Sequence, residues 1–172
     1  SIATPTFFSS KFPINFLYYC SMKKLLLILF CLPMIGFGQD GPFYFTDNNI
    51  QREFYLHIPN NLPVNSPIVY VFHGWGGNGS QIMSSTAFNI LSDQNNFAVC
   101  YPTALIDGDN GTSGLTSWNC SGLSDVDFIH ALNDSLQNQH QFDENKIFAT
   151  GFSYGGDISF HLARCQNSNI FD

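Results

Sequence analysis

Positive charge is what this sequence has least of. Its 172 residues carry six Lys and Arg against 13 Asp and Glu, a formal net charge of -7. Lys11, Lys23 and Lys24 all precede the first acidic residue, so only Arg52, Lys146 and Arg164 serve the rest of the chain. A protein that binds nucleic acid or an anionic membrane neutralises phosphates with clustered Lys and Arg. No cluster exists, so neither is expected as a partner. CxxC pairs and Cys/His spacings of the metal-site kind are also missing, which leaves no metal site to propose. No apolar run reaches the ~20 residues that cross a bilayer core. Internal repeats and low-complexity linkers are absent, so nothing divides the chain after its leader into two domains.

That leader is the first feature present. Met22-Lys23-Lys24 is a short basic start, and Leu25 to Leu32 (LLLILFCL) is an apolar run broken by Pro33. Gly36-Phe37-Gly38 then offers small residues before Gln39. This order predicts a secretory signal peptide over 22–38, an extracellular product and no membrane association once it is cleaved. Residues 1–21 precede that natural start and read as translated upstream sequence. Residues 39–172 are left as the N-terminal part of a catalytic domain. Cys20 and Cys31 leave with the leader, and Cys100, Cys120 and Cys165 remain. Three is an odd count for an oxidising compartment. Two could pair, or a partner could lie beyond Asp172.

Hydrophobic periodicity gives the fold class. Phe43 to Phe45 is a short candidate strand. Arg52 to Ile58 alternates, with Phe54, Leu56 and Ile58 on one face and Glu53, Tyr55 and His57 on the other. Ile68 to Phe72 is continuously apolar, as in a central strand buried on both faces. Phe97 to Tyr101 and Lys146 to Thr150 are further strands. Helices are expected at Ser85 to Asp93, from Ser124 with Asp127 as its capping-box partner, and at Ile158 to Ala163. Val126, Ile129, Leu132 and Leu136 form the apolar stripe of the second. Strands alternating with helices predict an α/β fold with a mainly parallel sheet covered on both faces.

One motif carries chemistry. Gly151-Phe152-Ser153-Tyr154-Gly155 fits G-x-S-x-G between a predicted strand and a predicted helix, the context in which that pattern forms a nucleophile elbow. Side chains two residues either side of the serine would meet neighbouring backbone, hence Gly151 and Gly155. The turn lifts the Ser153 hydroxyl to a helix N-terminus, where negative charge is favoured. An oxyanion needs two backbone donors. They are expected from the N–H of Tyr154 and from the loop His73-Gly74-Trp75-Gly76-Gly77, with Trp75 as its donor. His73 is expected to be structural.

The partners of a serine nucleophile follow it in this fold, acid first and then histidine. Asp157, His161 and Asp172 follow Ser153. His161 lies eight residues on, about 12 Å along a helix, too far for a hydrogen bond. Asp157 suits the first helical turn as a partner of the dipole, and Asp172 cannot be placed. His57, His130 and His140 precede the serine and read as surface or packing residues. The acid and base of the triad are therefore not expected in this chain, nor is activity from these residues alone. The fold is expected to be truncated after the elbow helix. Trp118, in a polar loop, either borders the cleft or anchors the core.

Five ordered segments carry a resemblance: FYLHIP at 54–59, PIVYVFHGWGG at 67–77, FAVCYPTA at 97–104, SWNC with SDVDFI at 117–129, and KIFATGFSYGG at 146–156. Together they resemble the polyhydroxybutyrate depolymerase/feruloyl esterase family of α/β-hydrolases, related to carbohydrate esterase family 1. The resemblance implies a secreted serine esterase with no metal or cofactor, acting on carboxylic esters that include polymeric ones. The family's nucleophile falls on Ser153 and its oxyanion loop on the stretch around Trp75. Where the family often has Asn after the nucleophile, this chain has Tyr154. Two other readings stay open, a peptidase of the prolyl-oligopeptidase kind and a secreted protein without catalysis. The SWNC and DVDFI segments argue against the first.

Overall fold

A computed structural model describes residues 40–106, 114–119 and 124–164. The expected leader, Cys120, Cys165, Asp172 and part of the 105–119 loop lie outside those residues. Among these residues nine elements run in chain order: β1 (Phe43–Asp47), β2 (Ile50–His57), β3 (Ile68–Phe72), α1 (Gly79–Ser85), α2 (Phe88–Asn95), β4 (Ala98–Pro102), α3 (Ser124–His140), β5 (Ile147–Gly151) and α4 (Tyr154–Arg164). The strands form one sheet in the order β1-β2-β4-β3-β5. β3 lies between β4 and β5 and pairs in parallel with both, while β2 runs antiparallel to both β4 and β1. The sheet is thus mixed, and the expected parallel pairing belongs to the half that ends in the serine motif. The antiparallel β1–β2 pair has a local cause. Asn48 and Asn49 both have positive φ, 48° and 64°, as a two-residue hairpin turn requires.

Helices cover both faces. Ile68, Tyr70 and Phe72 point to one side and pack with Ile129, Leu132 and Leu136 of α3 and Ile158 and Leu162 of α4. Val71, Val99 and Tyr101 point to the other, against Ile82 and Met83 of α1 and Phe88 of α2. The α3 stripe is buried as expected, with Phe128 added to it. Its capping box depends on the Ser124 side chain, which lies outside the described residues.

The helix expected over Ser85 to Asp93 is α2, which starts three residues later at Phe88, and α1 ahead of it was not expected. Asn78 caps α1, its side chain accepting from Gln81 N–H at 2.9 Å. Ser84, Ser85 and Thr86 then donate their hydroxyls to Gln81 O, Ile82 O and Ile82 O. Such back-bonding competes with the helical ladder, and Thr86 is extended. Cys100 sits in β4 as a buried free thiol.

Candidate functional site

Ser153 lies between β5 and α4 with φ of +53°, a left-handed conformation that non-glycine residues rarely adopt. Its neighbours show why the bend is compulsory. A Cβ on Gly151 would come within 2.3 Å of the Gly155 carbonyl group, and one on Gly155 within 2.2 Å of Phe72 O. β5, α4 and the end of β3 therefore touch backbone to backbone. Phe152 N–H donates to Phe72 O at 3.1 Å, while Gly155 and Gly156 N–H donate to Phe152 O and Ser153 O. Ser153 is exposed on this bend. It lies at the positive end of an 11-residue helix whose first residue is Tyr154.

The loop after β3 abuts it. A Cβ on Gly74 would lie 3.5 Å from Ser153 Cβ and 3.1 Å from the Phe152 ring. Gly77 N–H donates to Gly74 O at 3.0 Å, closing a tight turn in which Gly76 has φ of +72°. Gly76 N–H donates to Thr116 O at 2.8 Å, and the Thr116 hydroxyl donates to Gly77 O. Among the described residues, Trp75 N–H has no acceptor. The Trp75 and Phe152 side chains are 56% and 71% exposed, so the mouth beside Ser153 is aromatic. An alcohol in this setting can attack an electrophilic carbon while nearby N–H groups receive the negative charge that develops.

His73 is buried under the loop. Ala104 N–H donates to its Nε2 at 3.0 Å, and its Nδ1 lies 2.7 Å from Gly74 O. Burial lowers its pKa against the opposing pull of the Gly74 carbonyl and of Asp125. Trp118 proves to be the packed anchor: it is fully buried, meets Phe72 edge-on at 5.2 Å, and donates Nε1–H to His73 O at 2.9 Å.

None of the five histidines is hydrogen-bonded to Ser153 among the described residues. His57 bridges Asp40 and Asp93, His73 is engaged below the loop, and His140 stacks on Phe142. His130 lies on α3, and His161 lies on α4, edge-on to Phe160. Asp157 is in the first turn of α4. No group of three His, Cys, Asp or Glu among the described residues is placed to hold a metal ion, and no described helix is long and apolar enough to cross a membrane.

Sequence reasoning missed one buried device. Arg52 and Asp125, 73 residues apart, form an ion pair with both side chains almost wholly buried. The guanidinium lies 3.9 Å from the centre of the Phe128 ring. The second Asp125 oxygen accepts from Asn119 N–H, next to Trp118. The loop beneath the site is thereby tied to β2 and α3. A signal was available: Arg52 falls in register with Phe54 and Leu56, on the buried face.

A family model described as Esterase PHB depolymerase matches residues 53–171. The chain is similar to a bifunctional acetylxylan esterase/xylanase of Neocallimastix patriciarum, 25% identical over 74% of this chain and 20% of that protein. It is also similar to feruloyl esterase B of Thermothelomyces thermophilus, 28% identical over 69% of this chain and 41% of that protein. Among solved structures, an acetyl xylan esterase from Aspergillus awamori superposes with a TM-score of 0.61 and 26% identity, over 75% of this chain and 48% of that one. The chain spans less than half the length of each of these relatives.

Proposed function

This chain belongs to the Esterase PHB depolymerase family, and from that premise we propose that it hydrolyses carboxylic esters through an acyl-enzyme on Ser153. The observation that carries the reading is the Ser153 bend, held at φ of +53° by backbone contacts at Gly151 and Gly155. The Ser153 oxygen attacks the ester carbonyl carbon, and the carbonyl π electrons move onto oxygen. Trp75 and Tyr154 N–H hold that oxyanion. Collapse expels the alcohol, which takes up the serine's proton, and water then releases the acid. The general base and its orienting carboxylate come from residues outside the described ones. Substrates are esters carried on polymers, either acetyl or feruloyl groups on polysaccharide or a polyhydroxyalkanoate chain; the exposed aromatic mouth suits such a surface. The signal peptide over 22–38 delivers the enzyme outside the cell.

The intact gene product is compared with Ser153→Ala on short acyl esters, feruloyl esters and peptide amides. We expect ester hydrolysis to fall about 10⁴-fold or more and fluorophosphonate labelling to vanish. Undiminished hydrolysis by the variant would sink the reading, and faster cleavage of amides than esters would favour a peptidase.

A further inference from the structure

We infer that His73 is a positioning residue, whose neutral, Nδ1-protonated ring sets the direction of the Trp75 N–H. The inference rests on the esterase reading of Ser153 and extends it to a residue that lies beneath the site. Ala104 N–H donates to His73 Nε2, so that nitrogen is the acceptor and carries no hydrogen. In the neutral ring the hydrogen is then on Nδ1, which donates to Gly74 O at 2.7 Å. Gly77 N–H donates to the same oxygen at 3.0 Å.

The carbonyl of Gly74 and the N–H of Trp75 belong to one peptide unit, and that unit is trans. In a trans peptide the C=O and N–H bonds point in opposite directions. Two donors gripping the oxygen from the protein side therefore turn the Trp75 N–H outward, and it finds no acceptor among the described residues. Donation to the carbonyl also polarises the amide, strengthening its N–H as a donor. The ring is itself fixed. Trp118 packs against it with centroids 4.9 Å apart and bonds the His73 carbonyl. Gly74 has no side chain to separate the unit from Ser153, where a Cβ would already be 3.5 Å from Ser153 Cβ. A donor aimed in advance stabilises the charge of the transition state more than it helps ground-state binding.

Substitution can separate the two ring nitrogens. The amide of Asn occupies the place of Nδ1 and can donate to Gly74 O. The amide of Gln reaches the place of Nε2 and can accept only from Ala104. In the intact enzyme, kcat is measured per fluorophosphonate-titrated site for His73→Asn, His73→Gln and His73→Ala, with KM and Tm alongside. We expect Asn to keep kcat within about threefold, and Gln and Ala to lose roughly tenfold or more with KM little changed. The gap between Asn and Gln should exceed any gap in Tm. Equal kcat for Asn and Gln, or a loss that appears in KM alone, overturns the inference even if Ala does not fold. Ser153→Ala in parallel keeps the two ideas apart: if it stays active, the esterase reading fails first.

Discussion

The two supports of the site are built from opposite materials. On the β5 side, Ser153 is held by what is missing: Gly151 and Gly155 let backbone approach backbone to distances no side chain permits. On the β2 side, the loop around Trp118 is held by what is added, a buried ion pair between Arg52 and Asp125 in a chain with few cations. The contrast teaches that close contact and buried charge do the same mechanical job with different failure modes. A clash is repulsive and steep, so it tolerates nothing. A buried charge pair offsets its own desolvation, so removing half of it is worse than removing all of it.

The steepest effect is expected at the elbow. Gly155→Ala places a Cβ 2.2 Å from Phe72 O, and either α4 or β3 must move. We expect loss of folded, soluble protein. Gly156→Ala is the control, since its Cβ would meet nothing closer than 3.7 Å. In a helix that change removes backbone entropy from the unfolded chain and should add up to about 1 kcal/mol. Soluble yield and Tm of the two variants check the pair. A normal Tm for Gly155→Ala would show that the backbone contact is not tight.

A smaller but still large loss is expected on the other side. Asp125→Ala strands the Arg52 guanidinium in the core and removes the acceptor of Asn119 N–H. Breaking one partner of a buried pair costs about 3–5 kcal/mol. Arg52 Nε already has no hydrogen-bond partner, so the pair is imperfectly satisfied as it stands. The double replacement Arg52→Met with Asp125→Leu should therefore be more stable than Asp125→Ala in urea denaturation. Should the single changes add up to the double, the two groups are not coupled.

The same contrast explains what could be read from the sequence. The elbow was legible because its cause is local: two glycines at fixed offsets, an apolar strand before and a helix after. The strands were legible from runs such as Ile68 to Phe72, and the α3 stripe from its period. Partner choice was not. Arg52 falls in register with the buried face of β2, but its partner Asp125 is brought to it from 73 residues away, and no local pattern names that pairing. Trp118 could line or anchor until its indole N–H had an acceptor in His73 O. The short helix α1 depends on its Asn78 cap and on hydroxyls returning to it at its end, which a hydrophobic period does not register. The antiparallel β1–β2 pair hid in Asn48-Asn49, a turn signal passed over among polar residues.

Two histidines give the gentlest test, with opposite signs. His73 has its pKa lowered from 6.5, by burial above all. Its contribution to stability is present above the unfolded value and is lost as pH falls below about 6.5, where the unfolded chain takes up a proton more readily. His130 and His140, also lowered by burial, act in the same direction. His57 is different. Burial pulls its pKa down, but hydrogen bonds and charge from Asp40 and Asp93 outweigh this and raise it. Both ring nitrogens face carboxylates, at 2.7 and 2.9 Å, so only the imidazolium donates to both. Its contribution is full below about 6.5 and fades as pH rises through the raised folded value. Exposed pairs of this kind contribute about 0.2–1 kcal/mol. Asp93→Asn should therefore lower Tm at pH 5 and leave it nearly unchanged at pH 9, while the wild type still weakens on acidification through its buried rings. A Tm gap that stays constant across that range would mean that His57 is not held by its charge.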